Sequence, residues 1–166
     1  MIKKLGIKFI IIGHSENRAS GESDQIIKEK VFIALKNNFN VILCIGENKN
    51  QKRKKQTLQV LKKQISQVIK NKNYFKKIII AYEPIWSIGS GQLPSTNELD
   101  INVNILKKFI KKKFRSNYTP KIIYGGSVDK NSIKNFKSIK ELDGFLIGGA
   151  SKSSKNFIDI IKNFYK

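Results

Sequence analysis

Five short apolar runs without polar alternation set the limits on how this chain can fold. They are Lys8–Gly13, Asn40–Ile45, Ile78–Tyr82, Lys121–Tyr124 and Gly144–Ile147, rich in Ile and Val. A strand that alternates apolar and polar residues leaves one face in water, whereas a strand without alternation is buried on both faces. Between these runs lie longer segments with apolar residues at helical spacing. They are Gln25–Asn37, Lys54–Lys70 (Leu58, Leu61, Ile65, Val68, Ile69), Glu98–Phe114, a short one near Ser132–Phe136, and Asn156–Phe164. Strand then helix, repeated, reads as an α/β chain of five parallel βα units in one domain over residues 1–166. Either an open doubly wound sheet or part of a (β/α)8 barrel fits, and periodicity does not separate the two.

In both architectures ligands meet the C-terminal ends of the strands. The first end is Gly13-His14-Ser15-Glu16, and His14 is the only histidine. The second is Cys44-Ile45-Gly46-Glu47, and the third is Glu83, followed by a stiff Pro84-Ile85-Trp86 and a Gly-rich stretch to Pro94. That is a carboxylate beside a loop with a rigid base and a flexible tip, suited to proton transfer under a lid. The fourth and fifth ends are Tyr124-Gly125-Gly126-Ser127 and Gly148-Gly149-Ala150-Ser151. A glycine pair at a helix start exposes backbone N–H groups that can bind phosphate, although such pairs are more often plain turns. Together the ends point to a small phosphorylated substrate, a carboxylate base and an imidazole, a set suited to proton abstraction next to a carbonyl. No G-x-G-x-x-G or G-x-x-x-x-G-K-[ST] follows a strand, which argues against dinucleotide or nucleoside-triphosphate binding.

Charge raises a rival reading. The net charge is +21, from 33 Lys and Arg against 12 Asp and Glu. Clustered cations neutralise nucleic-acid phosphates. Here the lysines spread over most helical segments without a recognition motif, and A/T-rich codons for Lys, Asn and Ile account for the bias. No specific nucleic-acid partner is expected. The single cysteine, Cys44, excludes an internal disulfide framework and fits a reducing compartment. No apolar run approaches the ~18 residues of a membrane span. The expectation is a cytoplasmic protein without a membrane partner.

The strand-end motifs resemble those of the triosephosphate isomerase family. They are Gly13–Glu16, Cys44–Glu47, Ala81–Gly91 (Ala-Tyr-Glu-Pro-Ile-Trp-Ser-Ile-Gly-Ser-Gly), Tyr124–Val128 and Asp143–Ser151, in that family's order and at about its spacing. The resemblance implies an incomplete (β/α)8 TIM barrel and interconversion of dihydroxyacetone phosphate and glyceraldehyde 3-phosphate, with no cofactor and no metal. It implies that Glu83 shuttles the proton and that neutral His14 polarises the carbonyl, its pKa lowered by the helix turn near Ser15; the family is itself a worked case of such tuning. Gly89, Ser127, Gly148 and Gly149 would offer N–H groups to the phosphate. Glu16 and Tyr124 would support the site, and the lid Pro84–Pro94 would close over an enediolate prone to lose its phosphate. Cys44 and Glu47 read as structural, Trp86 as an anchor for the lid. Phe32, Phe109, Phe114, Phe157 and Phe164 read as core.

The chain also departs from the family. A (β/α)8 barrel has eight strands in about 250 residues, and the five units here resemble the last five. Met1–Gly6 is similar to the segment before the fourth strand. No stretch resembles the first strand, which carries Asn and a catalytic Lys, or the third loop, which makes much of the family's homodimer contact. The expectation is a partial barrel with uncovered apolar edges. As a chain alone it is expected to be slow or inactive, since one lost oxyanion donor costs about 10²–10³ in rate. The rival readings are an inactive remnant and a basic nucleic-acid-binding protein. Pro94 stands where the family's lid offers a backbone N–H to the tyrosine matching Tyr124, and proline has none. Asn17 stands where the family commonly has Arg, which removes an ion pair to Glu22.

Overall fold

The computed structural model describes residues 5–165. Met1–Lys4, most of the segment likened to the stretch before a fourth strand, lies outside them. The elements run β1 (Phe9–Ile12), α1 (Ser15–Ala19), α2 (Asp24–Lys36), β2 (Asn40–Ile45), α3 (Lys49–Arg53), α4 (Thr57–Val68), β3 (Ile78–Tyr82), α5 (Thr96–Phe114), β4 (Lys121–Tyr124) and α6 (Ser154–Tyr165). Short 3-10 helices cover Lys72–Lys77, Ser132–Ser138 and Gly149–Lys152. The four strands form one parallel sheet in the order β1-β2-β3-β4.

The register explains the core. Ile10 and Ile12 lie level with Val41 and Leu43, which lie level with Ile78 and Ile80. On this face Val41, Leu43, Ile80 and Ile122 are fully buried. The helices cover it with apolar stripes at 3.6-residue spacing, Ile27, Val31 and Ala34 from α2, Leu61, Ile65 and Val68 from α4, and Leu99, Val103, Leu106 and Ile110 from α5. Side-chain caps start two of them, Ser23 accepting from Ile26 N–H at 3.3 Å and Ser95 from Glu98 N–H at 3.2 Å. The opposite face is only half covered at Ile42, Ile79 and Ile123.

The expected fifth strand is not a strand. Gly144–Ile147 makes a single bridge, Phe145 to Tyr124. Tyr124 N–H donates to Gly144 C=O at 3.0 Å and Leu146 N–H to Tyr124 C=O at 2.8 Å, but the Asp143 carboxylate takes the Ile122 N–H at 2.8 Å. A side chain therefore replaces the backbone at one end of this ladder. At the other end the chain turns at Gly148 into a 3-10 helix.

The edges carry the apolar exposure expected of a partial barrel. Phe9 and Ile11 on β1 are about half exposed (50% and 48%). Beyond β4, Ile158 and Ile161 of α6 are also exposed. Two aromatics read as core are not core. Phe32 and Phe157 sit on the outward faces of α2 and α6, whereas Phe109, Phe114 and Phe164 pack against the core. Helical spacing selects a stripe but not which of two adjacent apolar positions faces inward.

Candidate active site

Gly13 has φ +75°, a conformation that disfavours any side chain, and it turns the chain sharply from β1 into His14. His14 then caps α1, its Nδ1 accepting from Glu16 N–H at 3.4 Å. This assigns the proton of the neutral ring to Nε2. Nε2 lies 3.9 Å from Glu83 Oε1.

Glu83 follows β3, its N–H donating to Ile45 C=O at 2.8 Å. The residue is 2% exposed, and Oε2 is buried with no hydrogen-bond partner among the described residues. Burial pushes the carboxyl pKa up, and the Cys44 thiol, His14, the Ser15 backbone and Arg18 partly oppose the rise. A carboxylate moved toward neutrality is a better general base than an ordinary one. Two glycines let the acid lie where it does. A Cβ on Gly46 would fall 1.8 Å from the Glu83 carbonyl oxygen, and one on Gly125 would fall 2.8 Å from Glu83 Cγ.

His14, Glu83, Gly89, Ser127, Gly148 and Gly149 line one cavity of about 330 Å³. Gly148 precedes the 3-10 helix Gly149–Lys152, whose first N–H groups have no partner inside the helix. No metal-binding cluster of His, Cys, Asp and Glu occurs among the described residues. Glu16 is not part of the cavity. Its side chain is 88% exposed, 3.9 Å from the outer ring nitrogen of His14.

Tyr124 is fully buried beneath the cavity, and burial pushes its pKa up to about 12. Its hydroxyl lies 3.1 Å from Ser87 Oγ. Ser87 Oγ donates to Gln92 C=O at 2.5 Å, so Tyr124 is the donor to Ser87. Ser127 Oγ donates to Ser87 C=O at 2.5 Å. The base of the loop is thus stitched to β4 through Ser87, not through Pro94. Glu47 is fully buried and accepts from Trp86 Nε1 at 2.8 Å and from the Tyr82 hydroxyl at 3.2 Å. Trp86 is therefore held by a hydrogen bond as well as by packing, with the Lys52 ammonium 5.2 Å over its ring. Cys44 is buried, and burial and then Glu83 push its thiol pKa up, which disfavours the thiolate that a nucleophile needs.

Uncharged Asn17 forms no ion pair with Glu22, but Glu22 has another partner, because Lys30 of α2, eight residues along the chain, reaches its Oε1. Two further residues were missed from sequence, Ser87 and Arg18. Neither is marked by composition or spacing, since each also depends on a partner distant in the chain, the Cys44 carbonyl for Arg18 and Tyr124 and Ser127 for Ser87.

The sequence model of the family described as "Triosephosphate isomerase" matches residues 1–164. Curated relatives named triosephosphate isomerase include one from Mycoplasma mobile, 41% identical over 163 residues, covering 98% of this chain and 65% of the relative. One from Buchnera aphidicola subsp. Cinara cedri is 43% identical over 166 residues, with 98% and 65% covered. One from Saccharomyces cerevisiae is 37% identical over 166 residues, with 98% and 66% covered. The chain thus spans about two thirds of the length of the relatives it matches.

Proposed function

The chain belongs to the triosephosphate isomerase family, and on that premise we propose that it interconverts dihydroxyacetone phosphate and D-glyceraldehyde 3-phosphate in glycolysis and gluconeogenesis. The observation that carries the proposal is the pair Glu83 Oε1 and His14 Nε2, 3.9 Å apart at one end of a cavity whose other lining includes Gly148 and Gly149. Glu83 removes a proton from the carbon beside the carbonyl. The electron pair moves to the carbonyl oxygen, which His14 Nε2–H stabilises as an enediolate. His14 Nε2 passes the hydroxyl proton of that carbon to the enediolate oxygen, Glu83 returns its proton to the former carbonyl carbon, and the double bond to oxygen forms on the carbon that lost its hydrogen. The phosphate rests on the backbone N–H groups of Gly89, Ser127, Gly148 and Gly149, and the loop Pro84–Pro94 excludes water.

Among the described residues that line the cavity there is no Lys or Arg. The oxyanion therefore gains no direct cation from them, which limits these residues to turnover about 10²–10³ below that of a site with one. For the whole protein the reading carries the family's homodimer and a cytoplasmic setting, the latter supported by one buried free cysteine. Among the described residues no helix is long and apolar enough to cross a membrane. The test is a turnover assay of the 166-residue chain with glyceraldehyde 3-phosphate. Slow turnover that vanishes in Glu83→Gln and drops in His14→Gln supports the reading. Turnover that survives in Glu83→Gln overturns it.

A further inference from the structure

Arg18 lies on α1, beyond His14, and turns its side chain back beneath the strand ends. Only 14% of that side chain is exposed. Nε donates to Gly13 C=O at 2.8 Å, Nη2 to Cys44 C=O at 3.2 Å, and Nη1 to Asp24 Oδ1 at 2.7 Å. One rigid guanidinium thus joins a carbonyl just past β1 to a carbonyl near the end of β2, while Asp24 at the start of α2 holds its plane. Both carbonyls are covalently close to groups of the site. Gly13 is bonded to His14. Cys44 is bonded to Ile45, whose carbonyl accepts the Glu83 N–H at 2.8 Å. The junction is tight, since a Cβ on Gly13 would lie 3.2 Å from Cys44 O and 3.3 Å from Arg18 Nη2.

We propose that Arg18 is a positioning residue for the reaction, clamping the Gly13 and Cys44 carbonyls so that His14 Nε2 and the Glu83 carboxylate stay in register. The inference rests on the function proposed above. Arg18 does not line the cavity and acts through two backbones. It also acts through its charge. The charged and titratable groups facing Glu83 are His14 and Arg18 from the β1–α1 side and Cys44 from β2, while β4 presents the uncharged Gly125. Arg18 carries a permanent charge, and after the Cys44 hydrogen bond, His14 and the Ser15 backbone it adds to the forces that lower the Glu83 pKa against the larger effect of burial. Lysine keeps the charge but lacks the fork. Its single ammonium does not hold two carbonyls and a carboxylate in one plane.

The test compares the 166-residue chain with Arg18→Lys and Arg18→Gln. Three quantities are read, kcat and KM, the ring ¹⁵N signals of His14, and the ¹³C titration of the Glu83 carboxyl, assigned by its loss in Glu83→Gln. His14 is the only histidine, so its signals need no assignment. Both variants are expected to move the His14 signals and to lower kcat about 10–100-fold, with a smaller change in KM, as a displaced catalytic pair does. The Glu83 midpoint rises in Arg18→Gln and stays closer to wild type in Arg18→Lys. A purely structural bridge lowers the melting temperature and leaves the His14 signals and the Glu83 midpoint in place, and that result overturns the proposal. If Arg18→Gln does not fold, Arg18→Lys decides alone, with unmoved His14 signals or unchanged kcat against the clamp. The two NMR readouts need no turnover. Shifted signals in a chain that does not isomerise would sink the proposed function and sustain the clamp.

Discussion

Replacing Gly125 with Ala places one methyl group against the proposed base. Gly125 follows β4 and donates its N–H to Tyr82 C=O at 2.9 Å, and its φ is not positive, so alanine brings no backbone strain there. The new Cβ would lie 2.8 Å from Glu83 Cγ and 3.2 Å from Oε1. Ordinary contact begins near 3.4 Å, so Glu83 Cγ must yield by about 0.6 Å. The backbone of Glu83 has no room to follow, because its carbonyl already packs on Gly46. The displacement therefore falls on the carboxylate. A misplacement of 1 Å costs about 10²-fold in rate, so one near half of that costs about 10-fold. The expected result is a kcat about 10-fold lower with KM nearly unchanged, and a stability loss of about 1–3 kcal/mol from overpacking. Steady-state kinetics and a thermal melt measure both. An unchanged kcat would refute the claim that Gly125 sets the position of the base.

Three further outcomes follow from the same geometry. Glu83 has its folded-state pKa raised, so the folded protein holds that proton more tightly than the unfolded chain, and stability from this group is lost as pH rises through the raised pKa. Glu83→Gln should therefore melt above wild type at neutral pH, by about 1 kcal/mol for relief of an unpaired buried oxygen, with the advantage fading in acid; a constant difference across pH counts against this. Lys30→Met strands a Glu22 carboxylate whose side chain is 7% exposed. Its expected cost is about 1–3 kcal/mol in chemical denaturation, and no loss would mean that Lys30 does not replace the family's arginine. Pro94→Ala restores a backbone N–H to the loop, which offers the Tyr124 hydroxyl an alternative to Ser87. Binding of a phosphorylated substrate analogue should tighten by up to about 10-fold, and unchanged affinity by calorimetry rejects the idea.

Most of the scaffold was legible because burial writes itself into composition. Four of the apolar runs are strands at nearly the expected bounds, and the segments after β1, β3 and β4 bring His14, Glu83, Gly89 and Ser127 to one cavity with Gly148 and Gly149, which follow the fifth run. What was not legible depends on tertiary partners. The run at Gly144–Ile147 looks like a strand, but Asp143 occupies a donor that a ladder would use. The predicted helix Lys54–Lys70 starts only at Thr57, because Lys55 takes φ +57°, and the short α3 over Lys49–Arg53 precedes it outside the predicted bounds. The five residues of α1 are too few for a periodic signal. Arg18 is one of many basic residues by composition, and only its three hydrogen bonds set it apart.

The central claim is that Glu83 moves a proton next to a carbonyl, and hydrogen exchange reports that step even where net turnover is slow. Dihydroxyacetone phosphate is incubated in D₂O with the 166-residue chain and followed by ¹H NMR. A proton held on a carboxylate during an enediolate's lifetime exchanges with solvent, so deuterium should enter the hydroxymethyl carbon with wild type and fall to background in Glu83→Gln. Equal incorporation with both proteins, or none with wild type, contradicts the account.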